Sequence, residues 1–477
     1  PHLKGWRDTV QLDLGGNAMK ARLFVVGVVL FASFSGCSSK DEAKGPTVPT
    51  YSEHVAPILR SRCESCHHDG GVGPFALSTY AQAKRWAPAL TGKVEDRSMP
   101  PWGAFDSESC KMRYKIKHDL RLTDAEVATI ANWSKNGTPE GDPSKAPAKG
   151  TFTDVRLTGV TDTLAIKPYK LAASNNDELR CFPVDPKATA DTTWIDGSSV
   201  VPGDTRVVHH VLVYVDPKRE SLAKAGADGS YPCFGGPDVS EAGLVMAWAP
   251  GGQPMDLAPE AAMPLPKDAM LVVQMHYHPV VEATDTTKIE LRRRESAPKW
   301  KALVALIGNA DDAKSGLLPS ASDPPAGPQF VIPAGAKSHV ESMTFTIPPM
   351  IDGKITPELR IHSIASHMHW VGRDMKIEVE RSIVSGDDPA NECLLGTPKY
   401  DFNWQRFYQF DVAIDDLPMV RAGDKLKMTC TYDNSMGNPF MVKALKEQKL
   451  SAPIDVKLGE QTLDEMCLGA FVVLQRN

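Results

Sequence analysis

From about residue 151 onward, short apolar runs recur between turn residues, and this pattern constrains the fold more than any other feature of the chain. VVHHVLVYV, AMLVVQMHYHPV, SMTFTIPP, DMKIEVERSI, KLKMTCTYDN and LGAFVVLQ each read as a β-strand. Strands spaced in this way build a sandwich or jelly roll. The 36 glycines and 38 prolines supply the turns. The stretch is long for one sandwich and suits two, divided as 151–298 and 299–477. Net charge is −6 with both signs interspersed, and no basic stretch suggests nucleic acid.

The chain has thirteen histidines, placed unevenly, and six of them cluster in these strand-like runs. His209 and His210 are adjacent, His276 and His278 flank Tyr277, and His367 and His369 flank Met368. Residues two apart on a strand share a face, so each His-x-His can bite one metal ion without distortion. Adjacent histidines point to opposite faces and can share an ion only at a strand end, at a bulge, or through different ring nitrogens. A lone histidine is ordinarily a surface or core residue; three clustered pairs predict metal binding. Imidazole suits zinc, copper, iron and nickel, and a thioether would tip the choice to copper. Composition cannot nominate that thioether among 17 methionines.

The region before residue 151 has a helical pattern instead. SEHVAPILRSRC reads as a helix running into RCESCHHDG, where Cys63, Cys66 and His67 form the C-x-x-C-H attachment motif of a c-type haem. RSMPPW offers Met99 as the second axial ligand, with Met112 and His118 as competitors. In LTDAEVATIANWSKNG, Thr123 and Glu126 have capping-box spacing and Gly137 is a stop. A zinc site would want a second Cys/His pair nearby, and a redox disulfide a βαβ pattern; neither is found. The region of about 50–140 resembles a small class I cytochrome c domain, and EGDPSKAPAKG (140–150) marks a linker, 141–150, by composition.

Upstream, MKARLFVVGVVLFASFSGC (19–37) has a positive start, an apolar run and small residues before Cys37. It reads as a secretory signal, too short for a comfortable membrane span. FSGC resembles the lipobox of bacterial lipoproteins, so Cys37 is the candidate lipidation site and 38–49 a tether. Residues 1–18 read as an upstream or non-native segment. The expected location is the bacterial envelope, periplasmic or surface-facing, with a lipid anchor as the membrane contact. Six further cysteines, Cys110, Cys181, Cys233, Cys393, Cys430 and Cys467, sit in what is then an oxidising compartment, where some should pair.

The chain from about 175 to 475 resembles the copper type II, ascorbate-dependent monooxygenases, the family of peptidylglycine and dopamine hydroxylating enzymes. VVHHVLVY is similar to the segment whose adjacent histidines, here His209 and His210, bind the electron-transfer copper. VVQMHY is similar to the one supplying its third ligand, His276, which makes His278 structural. ASHMHWVG matches the His-x-His of the oxygen-binding copper, giving His367 and His369, and TLDEMCLGAFVV carries its methionine, Met466. The four motifs occur in the family's order. The resemblance implies two jelly-roll β-sandwiches facing each other across a solvent-filled cleft, one copper on each. It also implies the disulfides Cys430–Cys467 and Cys181–Cys233, and leaves Cys110 and Cys393 open.

The implied activity is hydroxylation of an activated C–H bond with O2, with His367, His369 and Met466 as the catalytic site. Two one-electron coppers beside a one-electron haem lead to the expectation that the haem feeds the copper pair, from a periplasmic donor or an ascorbate-like reductant. Ala365 and Ala470 stand where the peptide-amidating members carry an Arg and a Tyr, while Gln274 matches the family. The expected substrate is therefore a small organic molecule and not a glycine-ended peptide. The rival expectation is a non-catalytic haem electron carrier fused to a copper-binding or recognition sandwich. The expected architecture is mainly β with a small α domain.

Overall fold

A computed structural model of the chain describes residues 48–477, apart from 72, 149–155, 175–176, 234–235, 250–251, 258, 280, 310–315, 321–322, 352–353, 385, 387 and 460–462. The signal, Cys37 and most of the tether lie outside the described residues. Among the described residues no helix is long and apolar enough to cross a membrane.

Three helices come first: α1 (Ala56–Arg62), α2 (Tyr80–Glu95) and α3 (Asp124–Lys135). Capping boxes start α2, through Thr79 and Gln82, and α3, through Thr123 and Glu126. Each satisfies two backbone donors that a helix start leaves unpaired. Gly137 takes a positive φ of 80° just past α3, a geometry that favours glycine. The helices bury their own apolar cluster, with Leu59, Leu77, Val94, Ile130 and Trp133 at its centre.

The rest is mainly β. All six predicted runs form strands, as Val208–Asp216, Met270–Tyr277, His339–Thr346, Gly372–Glu380, Lys425–Tyr432 and Leu468–Arg476. Three large sheets are present among the described residues. A five-stranded sheet runs Tyr231–Pro232, Glu178–Val184, Met270–Tyr277, Val208–Asp216, Gly243–Trp248. A four-stranded sheet runs His339–Thr346, Lys425–Tyr432, Gly372–Glu380, Asn391–Thr397. The third, of ten strands, takes members from both halves of the region, because Ala261–Pro266 pairs in parallel with Trp300–Gly308. One continuous apolar core runs through all of this.

Three disulfides brace it: Cys181–Cys233, Cys430–Cys467 and Cys110–Cys393. The first two are the pairs the resemblance implies, and the third closes the question it left open. Cys110 belongs to a segment between α2 and α3 that leaves the helical cluster. Its Trp102, Ala104 and Ile116 are buried in the β core. Backbone bonds from Phe105 to Gly396 and from Lys117 to Gln409 tie it to the second half.

Candidate functional site

The double-histidine strand Val208–Asp216 pairs antiparallel with Met270–Tyr277. His276 faces His210, yet the next residue, Tyr277, faces Val208. His209 is thus the extra residue of a β-bulge. A bulge turns one side chain out of the alternation, which is how neighbours on a strand reach the same point. His209, His210 and His276 each bring a ring nitrogen within 4.8 Å of the others. His209 Nδ1 and His210 Nε2 are buried without a hydrogen-bond partner. Buried polar atoms are ordinarily paired, so orphaned nitrogens in a cluster of three imidazoles fit a metal ion. Burial, then repulsion from His276, holds the His209 pKa down to about 4. Burial likewise lowers His210 well below the ordinary value. Both are therefore neutral near pH 7, the form that binds metal.

Asp177 supports the cluster from the side. His276 Nε2 and His278 Nδ1 meet its carboxylate at 3.0 and 2.6 Å. Burial alone would raise the Asp177 pKa, but these two hydrogen bonds outweigh it and hold it below the usual range. A carboxylate on Nε2 leaves the His276 Nδ1 lone pair for the cluster. His278 stands outside the trio and shares the carboxylate.

His367 ends the strand Leu359–His367, and His369 follows it, their rings 5.2 Å apart and edge-on. His367 Nδ1 bonds Gln405 Oε1 at 2.6 Å, and His369 Nδ1 bonds the Asp464 carbonyl at 3.0 Å. Each contact takes up the Nδ1 hydrogen and leaves the Nε2 lone pair for a metal. Burial lowers both pKa values, that of His369 to about 3. The strand Leu468–Arg476 places Leu468 opposite His367. Buried Met466 lies two residues before that strand begins. The wholly buried Glu465 carboxylate accepts the backbone N–H of His369, Val371, Gly372 and Met466 at 2.6–3.1 Å. The Cys430–Cys467 bond and a hydrogen bond from Tyr432 to the Met466 carbonyl hold the same corner.

Where the resemblance leads one to expect an open cleft between the two groups, Phe402 stands between them. Its ring centroid lies 5.6 Å from His210, 6.0 Å from His209 and 5.9 Å from His369. Ala365 and Ala470, where peptide anchors would be, are cross-strand partners. Gln274 instead bonds the Gly236 carbonyl beside the Cys181–Cys233 pair.

In the helical region, Cys63 caps α1, and the amides of Cys66 and His67 bond back to its carbonyl. Neither Cys63 nor Cys66 is in a disulfide. His67 Nδ1 is held at 3.0 Å by the Phe75 carbonyl, which leaves its Nε2 lone pair for a ligand. Gly73 is required here, since a Cβ would lie 2.6 Å from His67 Nδ1. Met99 sits half-buried on the loop after α2, its amide bonded to the Lys93 carbonyl. Of its competitors, Met112 packs on the β core and His118 lines a cavity beside His362.

Sequence reasoning missed Asp177, Phe402, Gln405 and Glu465. Glu465 stood in plain view beside Met466 in LDEMCLG. The others carry no local signal.

Neither a family model nor a curated protein matches the chain. Among solved structures, the infectious bursal disease virus VP2 subviral particle is 11% identical over 70% of this chain and 75% of that one, at a TM-score of 0.19. A peptide-N(4)-(N-acetyl-β-D-glucosaminyl) asparagine amidase is 11% identical over 66% and 97%, at 0.21. Likenesses this slight say nothing of what the chain does.

Proposed function

We propose that the protein is a copper-dependent monooxygenase that hydroxylates an activated C–H bond of a small organic substrate with O2, its electrons relayed through a c-type haem. The observation that carries this reading is the convergence on Phe402 of two histidine groups from distant strands. His209, His210 and His276 would hold one copper, and His367, His369 and Met466 the other, in two jelly-roll sandwiches. Copper supplies one-electron chemistry at both sites and O2 activation at the second. Asp177 orients His276, Gln405 and Asp464 fix the tautomers of His367 and His369, and Phe402 excludes water between the groups. Ala365 and Ala470 leave no polar anchor at the peptide-gripping positions, which favours a small, weakly polar substrate.

Cys63, Cys66 and His67 would hold the haem, with Met99 as the opposite ligand in a class I cytochrome c domain. Burial, then the Glu64 charge, pushes the Cys63 thiol up to about 12. That makes it a poor thiolate for zinc or disulfide exchange, whereas a thioether needs no charge. Export and lipidation at Cys37 would place the enzyme in the cell envelope, facing a periplasmic donor.

The test is metal analysis of haem-loaded, copper-reconstituted protein beside Met466→Ala. Two coppers and one iron per chain, with the variant losing or weakening one copper, are expected. Absent copper, or copper indifferent to Met466, would overturn the reading and leave a cytochrome fused to a β-sandwich body.

A further inference from the structure

A cavity of about 100 Å³ lies between the two halves of the β region. Met246, Trp248 and Met255 of the first half form one wall, and Val304, Phe407 and Val472 of the second form another. Trp102 and Lys117, from the segment between α2 and α3, line it together with Arg406. His362 also belongs to the wall, as the extra residue of a second bulge, between Ile361 and Ser363. It is buried, with its ring nitrogens 3.3 Å from Ser363 Oγ and 3.1 Å from Gln409 Nε2, so both are occupied. Two buried donors here lack partners. Trp102 is 6% exposed, and its Nε1 has no hydrogen-bond partner. The Arg406 guanidinium lies over the Trp102 ring at 5.2 Å, and its Nε is likewise orphaned. No Asp or Glu lines the cavity, and among the described residues neither Lys117 nor Arg406 is in an ion pair. Unpaired donors and uncompensated charge are costly away from water. Cations and free donors beside an apolar wall fit an anion with an apolar body.

We infer that this cavity is a binding site for a small organic carboxylate. Arg406 and the Trp102 N–H hold its head, Lys117 adds a second positive charge, and its hydrocarbon end packs on Met246, Trp248 and Met255. A guanidinium matches a carboxylate in both charge and geometry. A cavity of about 150 Å³ takes benzene, so this one fits a shorter body of roughly four carbons. None of the proposed copper ligands is in the wall, and neither are Ala365 and Ala470. The site is thus distinct from the substrate position considered above, and it needs neither copper nor haem. Gln405, which bonds His367 Nδ1 at 2.6 Å, does line it, so an occupant touches the residue that orients that imidazole.

The test is calorimetric titration of the full haem-loaded chain with butyrate, and with butyramide as its neutral counterpart, with copper added and with copper withheld. Butyrate should bind at one site per chain, equally well in both states, and butyramide about tenfold more weakly, because the bonds to a charged head are the stronger ones. Arg406→Gln should weaken butyrate by about tenfold. Trp102→Phe, which keeps the ring and removes the N–H, should weaken it by about threefold. Should Arg406→Gln fail to fold, Trp102→Phe and Lys117→Gln decide in its place, each expected to weaken butyrate more than butyramide. Equal binding of butyrate and butyramide overturns the assignment. So does butyrate binding that requires copper, binding that no variant alters, or no binding at millimolar butyrate.

Discussion

At the scale of single residues, the side chains behind the histidines do as much as the histidines. Gln405 Oε1 accepts the hydrogen of His367 Nδ1 at 2.6 Å. Removing the partner that orients a ligating imidazole lowers metal affinity by about 10–100-fold. Gln405→Leu should therefore weaken copper at His367/His369 by that factor and leave the three-histidine cluster unchanged, as read by chelator competition. Glu465 is a second case. Four backbone donors converge on it, and burial still pushes its pKa up to about 7. Glu465→Ala would orphan those donors at about 1–3 kcal/mol each. Urea unfolding should show a loss of about 3 kcal/mol or more, together with weaker copper at His369 and Met466. Stability within about 0.5 kcal/mol, the range of an ordinary surface change, would show that water replaces the carboxylate.

At the scale of elements, the bulge at His209 and the segment around Cys110 matter most. The alternation of VVHHVLVY made a strand legible, and it also made the adjacent histidines a puzzle. The slip between His276 and Tyr277 resolves it, because one strand carries an extra residue. The segment holding Trp102 and Ile116 was read with the helices on either side of it, yet it packs in the β core. Its apolar residues have no helical or strand period, so only the available partners decide where they are buried. The Cys110–Cys393 bond links residues 283 apart in sequence. Cys110→Ser with Cys393→Ser should cost about 2–4 kcal/mol in thermal or urea unfolding.

At the scale of the whole molecule, buried neutral imidazoles make stability depend on pH. The folded pKa of His209 is lowered from 6.5 to about 4, and that of His369 to about 3. Their contribution is complete above pH 6.5. Below it the unfolded chain takes up protons that the native protein refuses, so stability falls with pH. For His209 alone the loss approaches about 3 kcal/mol by the time the pH passes its folded pKa. Glu465 runs the other way between 4.5 and about 7, since its folded pKa is raised. His209, His210 and His369 together outweigh it. Copper-free protein should thus unfold at markedly lower urea near pH 4.5 than near pH 7. A flat or rising profile on acidification would mean that the imidazoles are solvated and not poised for metal.

The strand periodicity, the paired histidines and the C-x-x-C-H turn were legible in the sequence, and two of the disulfides were implied only by the resemblance. Periodicity and spacing are local, and they survive being written on a line. What only the tertiary structure decided was which distant segments meet. The parallel pairing of Ala261–Pro266 with Trp300–Gly308 joins the two halves into one sheet. Phe402 and Gln405, from one loop, reach the histidine groups, and Asp177 and Glu465 arrive from elsewhere to hold them. Such residues have no pattern of their own. Their roles come from burial and from unpaired donors nearby, which exist only once the chain has closed around them.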